Sequence, residues 1–538
     1  MMRKSFMFIV GVLILFLVAA CSSSKETESA DTKAERTENL NKTGMPIVED
    51  KISLDFFAGQ APQSAPNWND VMLFNEYEKM TNIDIEWEMV PSTGLAEKRN
   101  LRLASDNLPD AFHSASVPEN DILKYGQQGV FIPLNDLIDE YAPNLKKIFE
   151  EYPEIEKGIT FPDGNIYSFP LLTEPDFLSS RLGSVPWINQ EWLEELDMDM
   201  PKTTEEFYQY LKAVQEKDPG GNNGIPYGSG NIGEMVNWLK GAFGIENMGS
   251  ANPNIDVDPE DGEALRFYPI SEGYKELLQY INKLYEEKLI EQNIFSIDTN
   301  QFLANGSDGL YGSTNWYGPI ETFGEEGGKP FVGIPALEGP HGNKMITKMN
   351  PSVNTVGAFL ITRENQYPEA TVRWIDHFYG KEGIELFYLG IEGVTFEEKA
   401  DGTIDFIDEI NNHPDGLSFE EAVTEYLTFP GGGSPTMTIQ EFYRGGGSSE
   451  KRLTTAELLK PDVVKDPWSS FIYTEEETKI LDSTGNDIEK YVDEMRDKFL
   501  SGQVSFDEWD QYVQTIEGLG LEEYMQVKEE AYKRQKSQ

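Results

Sequence analysis

Residues 51–89, KISLDFFAGQAPQSAPNWNDVMLFNEYEKMTNIDIEWEM, decide the fold class. Ile52, Leu54 and Phe56 alternate with polar neighbours, and Ile83, Ile85, Trp87 and Met89 do so more strictly against Asp84, Glu86 and Glu88. A period of two is the pattern of a half-buried strand. Between the two runs, Trp68, Met72, Leu73, Tyr77 and Met80 fall at helical spacing behind Asn67, a residue suited to an N-cap. Strand, helix and strand in this order predict a βαβ unit and hence an α/β protein. The first loop, residues 59–67 with Pro62 and Pro66, follows a strand, where open α/β sheets place their ligands.

Working outward, a second helix is predicted over residues 94–105, followed by a short strand ending near His113. Residues 161–170, FPDGNIYSFP, set an Asp-Gly turn between two apolar runs, the signal of a hairpin. Thr203 and Glu206 have capping-box spacing before the stripe Phe207, Tyr210, Leu211 and Val214. Near the end, Ile488, Tyr491, Val492, Met495 and Phe499 mark a helix, and Ser505 with Glu508 has capping-box spacing before Trp509, Tyr512, Val513 and Ile516.

The N-terminus, MMRKSFMFIVGVLILFLVAAC, has Arg3 and Lys4, an apolar run from Phe6 to Leu17, then small residues before Cys21, the only cysteine. Charge, apolar run and small residues in that order read as a secretory signal, and the run is shorter than the about 20 residues a membrane span needs. Cys21 after Ala19 and Ala20 resembles the bacterial lipobox, in which the thiol is diacylated before cleavage. Read alone, an odd cysteine is also open to being a free thiol or an intermolecular disulfide. Residues 22–45 carry no aromatic residue and almost no aliphatic one, so they predict a tether that cannot bury enough surface to offset its ordering entropy.

What remains of the 538 residues is too long for one core and suits two lobes. With 94 acidic against 44 basic residues the net charge is −50. Such a surface repels nucleic acid and anionic headgroups and says little about a small ligand. The four histidines are scattered, and the chain holds no H-E-x-x-H, G-x-S-x-G or phosphate-binding loop motif. Acid pairs are too common here to mark a glycosidase dyad, whose meaning lies in a spatial separation.

Three segments in order, LPDAF at 108–112, GVFIPLNDLIDEYAPN at 129–144 and DGNIYSFP at 163–170, resemble the first lobe of family 1 extracellular solute-binding proteins, in particular the long lipoprotein branch called LipO. The WINQEWLEEL and PKTTEEF runs at 187–196 and 201–207, the LGIEGV run at 389–394 and the C-terminal LGLEEY segment extend the likeness in patches over residues 50–534. The resemblance implies a two-lobed, type II periplasmic-binding-protein-like α/β fold with lobes joined by hinge strands and an extended helical C-terminal region. It implies residues 1–20 as lipoprotein signal, 21–45 as tether, 46–168 with 300–350 as lobe one, and 169–299 with 351–538 as lobe two. Residues 168–172 would be the first hinge strand, and residues 300–317 the return to lobe one.

The function so implied is capture of a carbohydrate, an oligosaccharide in particular, for an ABC importer. The protein would be a monomer that partners the permease subunits, held at the outer face of a Gram-positive-type cell membrane by lipid on Cys21. An exported carbohydrate-active enzyme, a surface adhesin and a binding protein for peptides or other solutes are the competing classes. A neutral sugar needs flat aromatic faces and planar polar side chains in a largely apolar cleft. The candidates are Trp68, Trp187, Trp238, Trp316 and Tyr317, with Asn67, His113, Asn237 and Asn315 nearby in sequence. Trp316 and Tyr317 follow a GLYGS run that in sugar-binding relatives sets an aromatic beside the cleft. Trp87, Trp192, Trp374 and Trp509 sit inside periodic patterns and are assigned to the core. No cofactor or catalytic residue is expected. Relatives often carry a calcium-type loop after the helix ending near Lys217; here only Asp218 and Asn222 remain, short of the six to eight oxygens calcium takes.

Overall fold

The chain builds two hydrophobic cores, each around its own sheet. The computed structural model describes residues 38–537 apart from 106, 401 and 430–432. The signal, Cys21 and most of the expected tether lie outside the described residues, as do two positions of the glycine-rich loop at 431–434. Among the described residues no helix is long and apolar enough to cross a membrane.

The strands in chain order are β1 (Ile52–Gln60), β2 (Ile83–Pro91), β3 (Ala111–His113), β4 (Ser168–Thr173), β5 (Val185–Asn189), β6 (Ile225–Tyr227), β7 (Ile255–Val257), β8 (Leu265–Phe267), β9 (Tyr311–Trp316), β10 (Phe331–Gly333), β11 (Val353–Ile361), β12 (Phe396–Glu398), β13 (Ile404–Phe406) and β14 (Met437–Thr438). The first sheet has the order β14-β4-β11-β3-β1-β2 and the second β10-β5-β9-β6. Strands β7 with β8 and β12 with β13 form separate two-stranded pairs.

The βαβ unit forms where the alternation places it. β1 and β2 are parallel, with Ile52 opposite Ile83 and Phe56 opposite Trp87, and the helix Met72–Thr81 crosses between them. In its second half β1 is flanked by both β2 and β3 and covered on both faces, so Phe56, Phe57 and Ala58 are all buried. Phe56 meets Trp87, Phe359 and Trp374 at ring centroid distances of 5.5, 5.4 and 5.4 Å.

The lobe boundaries differ from expectation. β4 belongs to the first sheet, paired antiparallel with β11, and the chain leaves that lobe only after Thr173. Residues 300–350, expected in the first lobe, belong to the second: β9 pairs with β5, Trp187 opposite Thr314, and in parallel with β6, while β10 pairs with β5 on its other edge. Conversely β11 and the helices Pro368–Asp376 and Lys381–Tyr388, expected in the second lobe, complete the first core. A third passage follows β14, after which the helices Asn486–Leu500, Trp509–Gly518 and Leu521–Ser537 pack on the second core. Sheet membership is set by pairing between segments far apart in sequence, and local pattern carries no address for it.

Three local elements also differ from the pattern in the sequence. The expected hairpin at 161–170 is a turn only: Gly164 has φ +82° and its N–H donates to Phe161 O at 2.8 Å, but the preceding residues form the helix Pro153–Ile159 rather than a strand. The Ser505 side chain accepts from the Asp507 N–H, opening a short 3-10 turn in place of a capping box. Last, the end of the expected tether is docked. Arg373 donates to the carbonyls of Asn41 and Gly44, and Ile47 is fully buried, so ordered structure precedes residue 46.

Candidate functional site

The loop after β1 is tied to Thr428 through the Ser64 hydroxyl and the Ala65 N–H. The indole Nε1–H of Trp68 donates to Ser64 Oγ at 3.0 Å, the Ser64 hydroxyl donates to Thr428 O at 2.9 Å, and the Ala65 N–H donates to the same carbonyl at 2.9 Å. Thr428 and Phe429 are thereby held over the carboxyl ends of β1 and β3, where open α/β sheets bind ligands. Gly59, next to the last residue of β1, has no room for a side chain: a Cβ there would lie 2.2 Å from the carbonyl oxygen of Ser114.

These elements enclose a cavity of about 350 Å³. Its aromatic walls are Trp68, Tyr388, Phe429 and Tyr443, and its polar groups come from Ser64, Ser114, Thr428, Ser434 and Thr438. Tyr388 and Thr438 share a hydrogen bond of 2.7 Å, and Ser114 Oγ donates to Ser434 O at 3.2 Å. Among the described residues, none in the lining carries a carboxylate, amine, guanidinium or imidazole. In a chain of net charge −50 that neutrality is a local property of the site. Burial raises the phenols of Tyr388 and Tyr443 above their usual range, which keeps both as neutral donors and acceptors.

The second lobe presents Trp316 and Tyr317 at the end of β9. Trp187, itself fully buried, donates its indole N–H to the carbonyls of Trp316 at 3.1 Å and Tyr317 at 2.8 Å, fixing the loop from behind. Tyr317 is 57 % exposed, the most exposed aromatic side chain among the large hydrophobics. Beside this loop lies Arg452, 4 % exposed, which donates from Nη2 to Ser179 O and leaves Nη1 without a hydrogen-bond partner among the described residues. Burial lowers its pKa to about 10, while Glu321, Tyr317 and Tyr443 favour its charge. Arg452 thus stands within electrostatic reach of Tyr443 on the cavity and Tyr317 on the other lobe.

Of the residues singled out from the sequence, Trp68 lines the cavity, and Trp316 and Tyr317 lie together in the second lobe with ring centroids 5.7 Å apart. The others do not reach the cavity. Asn67 caps the short turn Trp68–Asp70 and accepts from the Asn69 N–H. His113 is 1 % exposed and packs behind Trp68, with neither ring nitrogen hydrogen-bonded among the described residues, so it is an apolar-packed ring rather than a hydrogen-bonded or ligand-facing one. Trp187 acts as the support already described. Trp238 is 5 % exposed and packs edge-on to Phe207 in the second core. Asn315 is 1 % exposed and donates to Glu234 O at 2.7 Å. The four tryptophans assigned to the core are all buried.

Sequence reasoning missed Ser64, Ser114, Tyr388, Phe429 and Tyr443 as cavity residues. Ser64 and Ser114 had a usable signal, Ser64 in the loop after the first predicted strand and Ser114 just past the end of another. Tyr443 lies between glycine-rich loops, and nothing in that pattern says what it faces. At the calcium-type loop, Asp218 Oδ1 accepts the Gly224 N–H of the same loop at 2.9 Å, and the Asn222 amide donates to Gly309 O, outside the loop, at 3.2 Å. Among the described residues no group of three or more His, Cys, Asp or Glu side chains is placed to hold a metal ion.

The family profile described as bacterial extracellular solute-binding protein matches residues 72–413. The chain is 30 % identical over 537 residues, 96 % of each chain, to the fructooligosaccharide ABC transporter substrate-binding protein FusA of Streptococcus pneumoniae serotype 4. The solved structure of FusA in complex with kestose aligns with a TM-score of 0.68 at 28 % identity, over 90 % of this chain and all of the other. The polygalacturonan/rhamnogalacturonan-binding protein YtcQ and the lipoprotein LipO, both of Bacillus subtilis, are 24 % and 23 % identical over 98 % and 99 % of each chain. FusA and YtcQ are binding proteins, and this chain shares the fold of the solved FusA structure.

Proposed function

The chain belongs to the family of bacterial extracellular solute-binding proteins, and from that premise we propose that it captures a neutral oligosaccharide between its lobes and delivers it to the membrane subunits of an ABC importer. The observation that carries this reading is the uncharged cavity, with four aromatic walls and a set of hydroxyls. Aromatic faces suit the apolar side of a sugar ring and hydroxyls satisfy its oxygens, while a uronic acid in the cavity would bring a carboxylate to a described lining that holds no cation. A ligand reaching from Trp68 to Tyr317 touches both lobes, so its affinity differs between open and closed arrangements and it favours closure.

The protein acts as a monomer, binds without cleaving, and is held on the outer face of the membrane by lipid on Cys21. A tether keeps a receptor beside its permease in a cell without an outer membrane. Cys21→Ala is expected to release the protein into the medium or retain its signal with ligand affinity unchanged; lipid labelling of that variant would overturn the anchor.

A thermal-shift screen of the mature chain against neutral and acidic mono- and oligosaccharides tests the ligand class. A bound sugar at a hundred times its dissociation constant adds about 2.7 kcal/mol. A shift with galacturonides but none with neutral oligosaccharides would overturn the neutral assignment, and a shift only with peptides or amino acids would overturn the carbohydrate class. Cleavage products after incubation with the bound sugar would establish an enzyme instead.

A further inference from the structure

The strand order β14-β4-β11 gives the interlobe connection two flanks. The carbohydrate cavity uses the β14 flank, through Thr438. On the β11 flank, where Pro351 and Ser352 lead into that strand, lies a second cavity of about 470 Å³. Its walls come from both lobes: Glu154 and Lys157 from the helix Pro153–Ile159 of the first, Arg181, Lys465, Asp466 and Lys536 from the second.

Arg181 is the unusual member. It is only 7 % exposed, yet its hydrogen bonds go to two neutral carbonyls, Nε to Asn350 O at 3.0 Å and Nη1 to Pro175 O at 2.9 Å. A guanidinium has five N–H donors, and among the described residues no carboxylate pairs with this one. Glu154 and Asp176 act on it electrostatically without forming an ion pair. A buried guanidinium without a carboxylate in direct contact is costly, and the cost is relieved when an anion arrives within hydrogen-bond reach. Lys157, Lys465 and Lys536 likewise make no ion pair among the described residues, and the Lys536 ammonium stands 5.7 Å from the Tyr532 ring centroid. In a chain with 94 acidic and 44 basic residues, four cations against two carboxylates on one cavity reverse the overall balance. Trp468 and Tyr532, with ring centroids 5.0 Å apart, add a flat apolar wall.

We propose that this second cavity binds a small organic oxyanion, a carboxylate or phosphate ester, with Arg181 as its principal anchor and Lys157 and Lys465 gripping from opposite lobes. The site is separate from the carbohydrate cavity and does not depend on its assignment.

Calorimetric titration of the mature chain with sodium citrate and with sodium phosphate, against sodium chloride at matched ionic strength, tests it. Saturable binding of citrate or phosphate is expected, with the stronger of the two indicating the carboxylate or the phosphate source. Affinity is expected to fall at least tenfold in Arg181→Gln and in the double variant Lys157→Gln/Lys465→Gln. The double variant changes no side chain with a structural hydrogen bond at the crossing and keeps the test valid if Arg181→Gln does not fold. Absence of saturable binding beyond chloride, or binding that survives the double variant unchanged, would overturn the proposal.

Discussion

The indole of Trp68 stands edge-on to the imidazole of His113, with ring centroids 5.3 Å apart and planes at 82°. Trp87 and Phe359 meet the same imidazole edge-on at 5.1 and 5.9 Å. Surrounded by rings and removed from water, His113 has its pKa lowered to about 3. An unfolded chain takes up its proton near 6.5 while the folded chain does not, so this residue's contribution is complete above pH 6.5 and is lost as pH falls, by about 1.4 kcal/mol per unit. Buried Asp376, with its pKa raised to about 6, works in the opposite direction: protonation of the folded form relieves its burial as pH falls from about 6 toward 3.8. Replacing His113 by Leu removes the first effect and leaves the second. Urea unfolding is expected to show the variant gaining on the parent by about 1 kcal/mol per unit between pH 6 and 4; parallel pH profiles would contradict a neutral buried imidazole.

Trp68 and Tyr317 separate folding from binding. Trp68 packs against Trp87, Phe74 and His113, so Trp68→Ala is expected to destabilise the first lobe by about 3–5 kcal/mol as well as to weaken binding. Tyr317 is exposed, so Tyr317→Ala should change stability by no more than about 0.5 kcal/mol. It should nevertheless weaken oligosaccharide binding by about tenfold, or 1.4 kcal/mol. Denaturant melts and calorimetry on the two variants measure both quantities, and unchanged affinity in Tyr317→Ala would remove the second lobe's aromatic from the site.

Gly59 tests the close approach that shapes the cavity. A methyl group there meets Ser114 O at 2.2 Å, so Gly59→Ala must push β1 from β3 and is expected to cost about 1–3 kcal/mol with loss of binding. Gly94→Ala, where nothing lies within 4 Å, is the steric control and should leave binding unchanged.

Arg373 clasps the segment before β1 through the carbonyls of Asn41 and Gly44. Arg373→Gln is expected to speed amide exchange and proteolytic cleavage over residues 39–45 while the rest of the exchange pattern stays as in the parent. Protection that persists there would show that Leu40 and Ile47 alone dock the segment.

The loop at 218–224 is closed by its own hydrogen bond from Gly224 to Asp218. Adding a calcium chelator is therefore expected to leave the melting temperature within about 1 °C of its value in calcium. A fall of several degrees would place a structural cation in the chain.

The βαβ unit, the helix stripes and the tryptophans of the core were legible in the sequence because each is a local matter: a period of two or of 3.6 records which faces are covered. Trp68 was found on the same terms, as the first apolar residue after a strand and its loop. Lobe membership and the full cavity were not legible. The segment ending in Trp316 pairs with Val185, Pro186, Trp187 and Ile188 in the second sheet, and β11 enters the first, through hydrogen bonds that any extended backbone can offer. Likewise Ser64, Tyr388, Phe429 and Tyr443 meet only because three separate passages of chain converge on the ends of β1 and β3. The sequence by itself determined the elements, the acidic surface and the N-terminal signal pattern. The tertiary structure alone decided which elements share a sheet and which side chains face one ligand, because those depend on contacts between residues hundreds of positions apart.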